Sequence, residues 1–217
     1  MSSSKVDRAL YGPSWTEVIL GAVLSFVLGV VLSAIALILK PIETVREIPE
    51  DAPAHAVYYI EGAKSGTRGR EAPTKLELLR AGQDITLSEE ELNVLASDIL
   101  TVPDGEEGDS PDVIPNFRIA DGQLQVAYPV TFGYSGIERT VFIIAAGQLV
   151  PVGDRVAFQP ERYTIGSFNA LRLPALQNLI AGQIFARNPP SEEILGIWNG
   201  LTDAGMQEDR TVRLSMR

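Results

Sequence analysis

The chain contains no cysteine. That excludes disulfides, thiol nucleophiles, thiolate metal ligands and the acylated cysteine of a lipoprotein. Histidine occurs once, as His55, within a stretch of proline and alanine. A lone imidazole makes no multi-histidine metal site, and no nucleophile pattern accompanies it to suggest a catalytic triad. Gly133-Tyr134-Ser135-Gly136 lacks the Gly-x-Ser-x-Gly spacing of a nucleophile elbow and reads as a hairpin turn. No Walker-type or dinucleotide-type glycine pattern is present. Basic residues are also scarce, with 18 Lys+Arg against 28 Asp+Glu and a formal net charge of −10. From Pro41 onward 15 basic residues face 26 acidic ones, so the acidity belongs to the later part of the chain. This balance argues against nucleic acid and against broad adhesion to anionic head groups.

What is present is a long apolar run. Val18 to Leu39 holds 22 residues without a charged or strongly polar side chain. As a helix it would span roughly 33 Å, enough to cross a bilayer's hydrocarbon core. Tyr11 and Trp15 precede it where an interfacial aromatic belt would lie, and Lys40-Pro41 ends it. A cleaved signal fits less well. Ala34 and Ala36 offer a small-residue site, but the apolar run continues through Leu37, Ile38 and Leu39. The reading is therefore a short cytoplasmic tail (1–17), a transmembrane helix (18–39), a tether (40–56) and an extracytoplasmic α+β domain (57–217). The expected location is a bacterial inner membrane, crossed once. Lys5 and Arg8 before the span nearly balance Lys40 and Arg46 after it, and the brevity of the tail favours an inside amino terminus.

Within the span, Gly21, Ser25, Gly29 and Ser33 recur every four residues. They share one helix face, where another helix can approach closely. The expected partner is therefore a second transmembrane helix, from another copy or another subunit.

Beyond the span, Val57–Ile60 reads as a short strand and 62–73 as a mobile loop with Lys64, Arg68 and Arg70. Thr74–Glu77 has a capping-box form, and Gly82 would close the short helix that follows. Ser88-Glu89-Glu90-Glu91 is a stronger helix start, and capping accounts for its acids. Leu92, Leu95, Ala96, Ile99 and Leu100 then follow at helical spacing. Asp104, Glu106, Glu107, Asp109 and Asp112 form an acidic loop outside any EF-hand register, so no metal is expected.

Next the period becomes two. Leu124, Val126, Tyr128, Val130 and Phe132 alternate with other residues along a half-buried strand, entered through a turn at Asp121-Gly122. These five are the candidate hydrophobe-binding row. Pro129 implies an edge or a bulge. Strands are expected at Arg139–Ala146 and Arg155–Ile165 with turns at Gly147 and Gly153-Asp154, then helices from Pro174 and Ser191, and a last strand over Thr211–Ser215. The fold class is a single transmembrane helix plus an α+β domain, with an antiparallel sheet of about four to six strands.

Ile85–Asn93, which reads ITLSEEELN, resembles the LTEEELN segment of YpmS-like single-pass bacterial envelope proteins. Leu173–Leu179, LPALQNL, resembles their closing helix. The resemblance covers roughly Ile85 to Phe185 and implies an amino-terminal anchor with a curved α+β domain that holds a lipid or other hydrophobic partner. It implies no catalytic residues. The leading expectation is a non-enzymatic accessory or scaffold subunit without a cofactor, acting through helix packing and an acidic domain. The alternatives are an anchored lipid- or hydrophobe-binding module, then a carboxylate-dependent envelope enzyme.

Overall fold

A computed structural model describes residues 12–51, 56–64, 68–99, 114–134, 137–187 and 192–216. Among the described residues the first element is the apolar helix α1 (Trp15–Leu39). This helix starts three residues before the apolar run because Ser14 and Glu17 form a capping box. The Ser14 hydroxyl accepts from the Glu17 amide at 3.3 Å, and the Glu17 carboxylate accepts from the Ser14 amide at 3.1 Å. Lys40 is already extended, as the following proline requires.

The part expected as a tether is ordered where it is described. Strand β1 (Glu43–Thr44) pairs in parallel with β2 (Tyr58–Tyr59), and Val45 continues the ladder by donating to the Tyr59 carbonyl at 2.9 Å. His55 lies outside the described residues. Residues 68–71 differ from the expected loop by forming a 3-10 turn, which leads straight into α2 (Ala72–Arg80). The expected capping box at Thr74 is absent, because Pro73 starts this helix two residues earlier. Gly82 closes the helix at φ 80°, its amide donating to the Leu79 carbonyl.

Two antiparallel sheets take the place of the single sheet expected. The smaller is ordered β3 (Ile85–Ser88), β10 (Thr211–Met216), β9 (Leu201–Met206). The larger runs in sequence order: β4 (Asn116–Ala120), β5 (Gln123–Tyr134), β6 (Ile137–Val152), β7 (Arg155–Ile165) and β8 (Phe168–Asn169). Helices α3 (Glu89–Ile99), α4 (Pro174–Arg187) and α5 (Glu192–Gly200) complete the α+β fold. The acidic loop at 104–112 lies outside the described residues.

The β4–β5 turn is as expected. Asp121 and Gly122 both take positive φ, 54° and 70°, the two-residue hairpin geometry that matches strand twist. Gly147 is not a turn. It lies inside β6 opposite a bulge in β7, where the partner of Ala146 is Arg162 and that of Gly147 is Pro160, leaving Glu161 extra. A Cβ on Gly147 would stand 2.0 Å from the Gln159 carbonyl oxygen, so the bulge admits only glycine there. Pro129 pairs with Phe142 beyond the end of β4, where, among the described residues, no strand pairs with that side of β5.

The core has three parts. Leu79, Leu87, Leu201 and Val212 join Leu124, Leu149 and Val156 between the two sheets. Each of these leucines contributes roughly 1.5–3 kcal/mol by leaving water. Farther along the same face, Val141, Ile143, Ile165 and Ala170 form a second cluster. On the opposite face, Tyr59, Ala127 and Ile144 are buried against Ile42 and Phe142. The half-buried strand expected for β5 is thus covered on both faces, by the core on one and by Tyr59 on the other.

The Tyr59 ring stacks on Phe142 with centroids 4.2 Å apart. Burial first, and Glu61 second, push its phenol from 10.0 up to about 12. A raised phenol pKa stabilises the fold fully below pH 10 and loses that contribution as pH climbs through about 12. Tyr59→Phe is expected to make unfolding less steep in that alkaline window. Denaturant melts of both proteins across it, compared by midpoint, provide the check.

Candidate functional site

From Trp15 to Ser33 every residue of α1 is exposed, and only Ala34 and Ile38 are partly covered. The helix is strongly apolar, with a mean hydropathy of 2.8 over its best window, and none of that window is buried in the domain. It is therefore not a core helix. The candidate packing row is open: a Cβ on Gly21 or Gly29 would meet nothing within 4 Å, and Ser25 and Ser33 are exposed beside them.

The carboxy-terminal end of α1 is seated on the domain. Its last carbonyls have no partner within the helix, and the turn between β7 and β8 supplies one. Ser167 donates its amide to the Leu37 carbonyl at 3.0 Å. Gly166, at φ 56°, brings its backbone so near that a Cβ would lie 2.2 Å from the Ile38 carbonyl oxygen. The Ile38 side chain rests against the second core cluster, and Ile42 against the third. The helix axis is thus fixed to the larger sheet through a hydrogen bond, a glycine contact and two apolar side chains.

A second constellation joins α3 to the edge of the larger sheet. The Ser88 capping box forms as expected, with the Ser88 amide donating to Glu91 at 2.7 Å. The neighbouring acids do more than cap. One Glu89 oxygen accepts from the Ala63 amide at 2.6 Å, and the other from the Ile119 amide at 2.8 Å. Glu91 is 1% exposed, with the Lys75 ammonium 2.6 Å from its Oε1. The same ammonium also donates to the Thr86 carbonyl at 2.8 Å, so Lys75 ties the buried carboxylate to the backbone of β3.

Asn93, only 3% exposed, uses both ends of its amide. It accepts from the Phe117 amide and donates to the Phe117 carbonyl, each at 2.7 Å, and donates to the Ala63 carbonyl at 2.8 Å. Asn93 and Glu89 thereby occupy backbone groups on the outer side of β4, as a sixth strand would. Gly62 completes the junction. Its amide donates to Asn116 at 2.7 Å, and a Cβ there would lie 1.9 Å from the Phe117 carbonyl oxygen. Sequence reasoning missed Asn93, Gly62 and the second role of Glu89. The run Glu-x-x-x-Asn puts Glu89 and Asn93 on one helix face, and that spacing was the available signal.

In the candidate hydrophobe-binding row, Leu124 and Val126 belong to the inter-sheet core, while Tyr128 and Val130 pack on Val141 and Ile143. The side chain of Phe132 lies outside the described residues. Burial pushes the phenols of Tyr128 and Tyr163 up. An open depression of about 520 Å³ lies elsewhere, lined by Thr44, Val45, Arg46, Ile60, Glu61, Gly62 and Lys64. Among the described residues, no three of His, Asp and Glu converge as a metal site would need.

Of the features just described, the seated apolar helix is the one whose chemistry the domain itself leaves unanswered. Compared with protein-family models, curated proteins and solved structures, the chain matches none.

Proposed function

We propose that this chain is a single-pass, membrane-anchored, non-enzymatic accessory or scaffold subunit of an envelope complex. Helix α1 crosses a bacterial inner membrane with the amino terminus cytoplasmic, and the α+β domain lies on the far side. The observation that carries this reading is the uncovered apolar helix fixed to a folded domain. Water would not tolerate that surface, since each exposed square ångström of it costs about 25 cal/mol. A lipid core or another helix removes the cost. The rigid seat at Gly166 and Ser167 suits a scaffold, because a loosely tethered carrier has no need to fix the angle of its domain.

The filled surroundings of Leu124 and Val126 favour this reading over the hydrophobe-binding module that the YpmS-like resemblance implies. Glu89 and Glu91 already spend their oxygens on backbone amides and Lys75, which favours it over a carboxylate enzyme.

The test is helix association through the small-residue row. Gly29→Leu pushes a partner backbone away, whereas Ala22→Leu changes hydrophobicity elsewhere on the helix. Loss of close packing worth about 1–2 kcal/mol weakens association roughly tenfold. Recovery of the dimer or larger assembly from mild detergent should fall for Gly29→Leu alone. Equal recovery of both variants would remove the membrane-embedded partner from this reading.

A further inference from the structure

Helix α4 carries apolar surface that the domain does not use. Leu176 and Ile180 turn inward onto Val141, Ile143, Ile165 and Ala170. Leu179, in contrast, is 61% exposed, and Leu173, just before the helix, is 45% exposed. Ile38, in the last turn of α1, packs against the same buried cluster as Leu176 and Ile180. The exposed edge of α4 therefore lies close to the point where the apolar helix meets the domain.

Charge singles out the same segment. Between Glu161 and Glu192 the chain carries Arg162, Arg172 and Arg187 and no acid, although acids outnumber bases 28 to 18 in the whole chain. Arg172 is exposed directly before α4. A helix facing open solvent on so acidic a protein would be expected to share its carboxylates. A helix lying against anionic head groups would be depleted of them, with apolar residues below and arginine at the rim.

We infer that α4 is an interfacial helix: Leu173 and Leu179 rest at the head-group boundary of the leaflet that receives the end of α1, with Arg172 against lipid phosphate. The inference rests on reading α1 as the membrane anchor. Insertion of α1 fixes the height of the domain, and α4 then fixes its tilt. The acidity of the remaining surface keeps the rest of the domain off the bilayer.

The absence of cysteine makes the test direct. Single variants Leu28→Cys, Leu179→Cys and Val152→Cys of the full chain are labelled with a polarity-sensitive fluorophore. Each is reconstituted into vesicles of phosphatidylcholine and phosphatidylglycerol containing spin-labelled lipid. Val152 is 60% exposed and lies 11 residues along β6 from Val141, roughly 35 Å farther from the anchor's seat. Leu28 reports the span. The expected result is blue-shifted emission and loss of about half or more of the signal at Leu28 and Leu179, with Val152 unaffected. Quenching at Leu28 with Leu179 behaving like Val152 would overturn the inference and leave the anchor standing. A blue shift at Leu179 without lipid quenching would mean that protein covers α4, which also overturns it. No quenching at Leu28 would remove the anchor itself, and the interfacial helix with it.

Discussion

Replacing Asn93 with leucine is expected to destabilise the α+β domain by about 3–5 kcal/mol, although the substitution is close in volume. Leucine leaves the Ala63 carbonyl and both polar groups of Phe117 without the partner they now have. Each group so stranded away from water costs about 1–3 kcal/mol. The two Phe117 groups are part-buried and bear that cost, whereas Ala63 is exposed and its carbonyl can turn to water. Asn116 also loses its contact with the Asn93 carbonyl oxygen, at 3.4 Å. Gln83→Leu is the control, since Gln83 is exposed and uses only its backbone, donating to the Leu78 carbonyl. Its effect should stay within about 0.5 kcal/mol. Urea unfolding of the full chain in detergent reads both values. An Asn93→Leu midpoint near that of the parent would mean that water replaces the lost partners and that the junction holds nothing together. The variant should also associate more readily, because the Phe117 groups on the edge of β4 lose their cover even though Glu89 still holds the Ile119 amide.

Gly166→Ala should detach α1 from the domain while leaving both folded. At φ 56° the added Cβ costs about 1–2 kcal/mol in backbone strain alone. It also meets the Ile38 carbonyl oxygen at 2.2 Å, so the end of the helix must move away and the bond from Ser167 to Leu37 is lost. Gly153→Ala separates these effects. Its φ is 63°, yet a Cβ there meets nothing within 4 Å, so it carries the strain without the collision. Spin labels on Leu28→Cys and Val152→Cys measure the angle between helix and domain as a distance. The parent and Gly153→Ala should give one narrow distribution, and Gly166→Ala a broad one. A narrow distribution in Gly166→Ala would show that the apolar contacts of Ile38 and Ile42 suffice to seat the helix.

Features legible in the sequence were those written within a few residues. The apolar run, the Ser88 capping box, the Asp121-Gly122 turn and the closing role of Gly82 each depend on neighbours along the chain. What was missed depends on distant partners. Leu201–Met206, with its threonine, aspartate and glycine, has no alternation to announce a strand, and it becomes β9 because Thr211–Met216 lies beside it. Gly62 and Gly147 read as loop and turn, since nothing local reveals the carbonyls of Phe117 and Gln159 pressing against them. Glu89 looked like helix-start chemistry alone, because the amides of Ala63 and Ile119 are 26 and 30 residues away. In the candidate membrane row, spacing alone carried the reading, and the fold adds only that the row stays open.

The order of the smaller sheet has a consequence for how the protein is made. Its middle strand, β10, comes last among the three, with β3 and β9 on either side. The Arg213 guanidinium pairs with Asp84 across 129 residues of chain, and with Ser215 it holds that carboxyl below its usual range. Until residues 211–216 have been synthesised, β3 and β9 have no strand between them, and Leu87 and Leu201 lack the neighbour that completes their burial. Contacts so distant in sequence form slowly. Until that strand is available the domain is incomplete and sticky, and a chaperone that delays collapse would act in that interval. Released chains with and without residues 211–216 should therefore differ sharply in protease resistance.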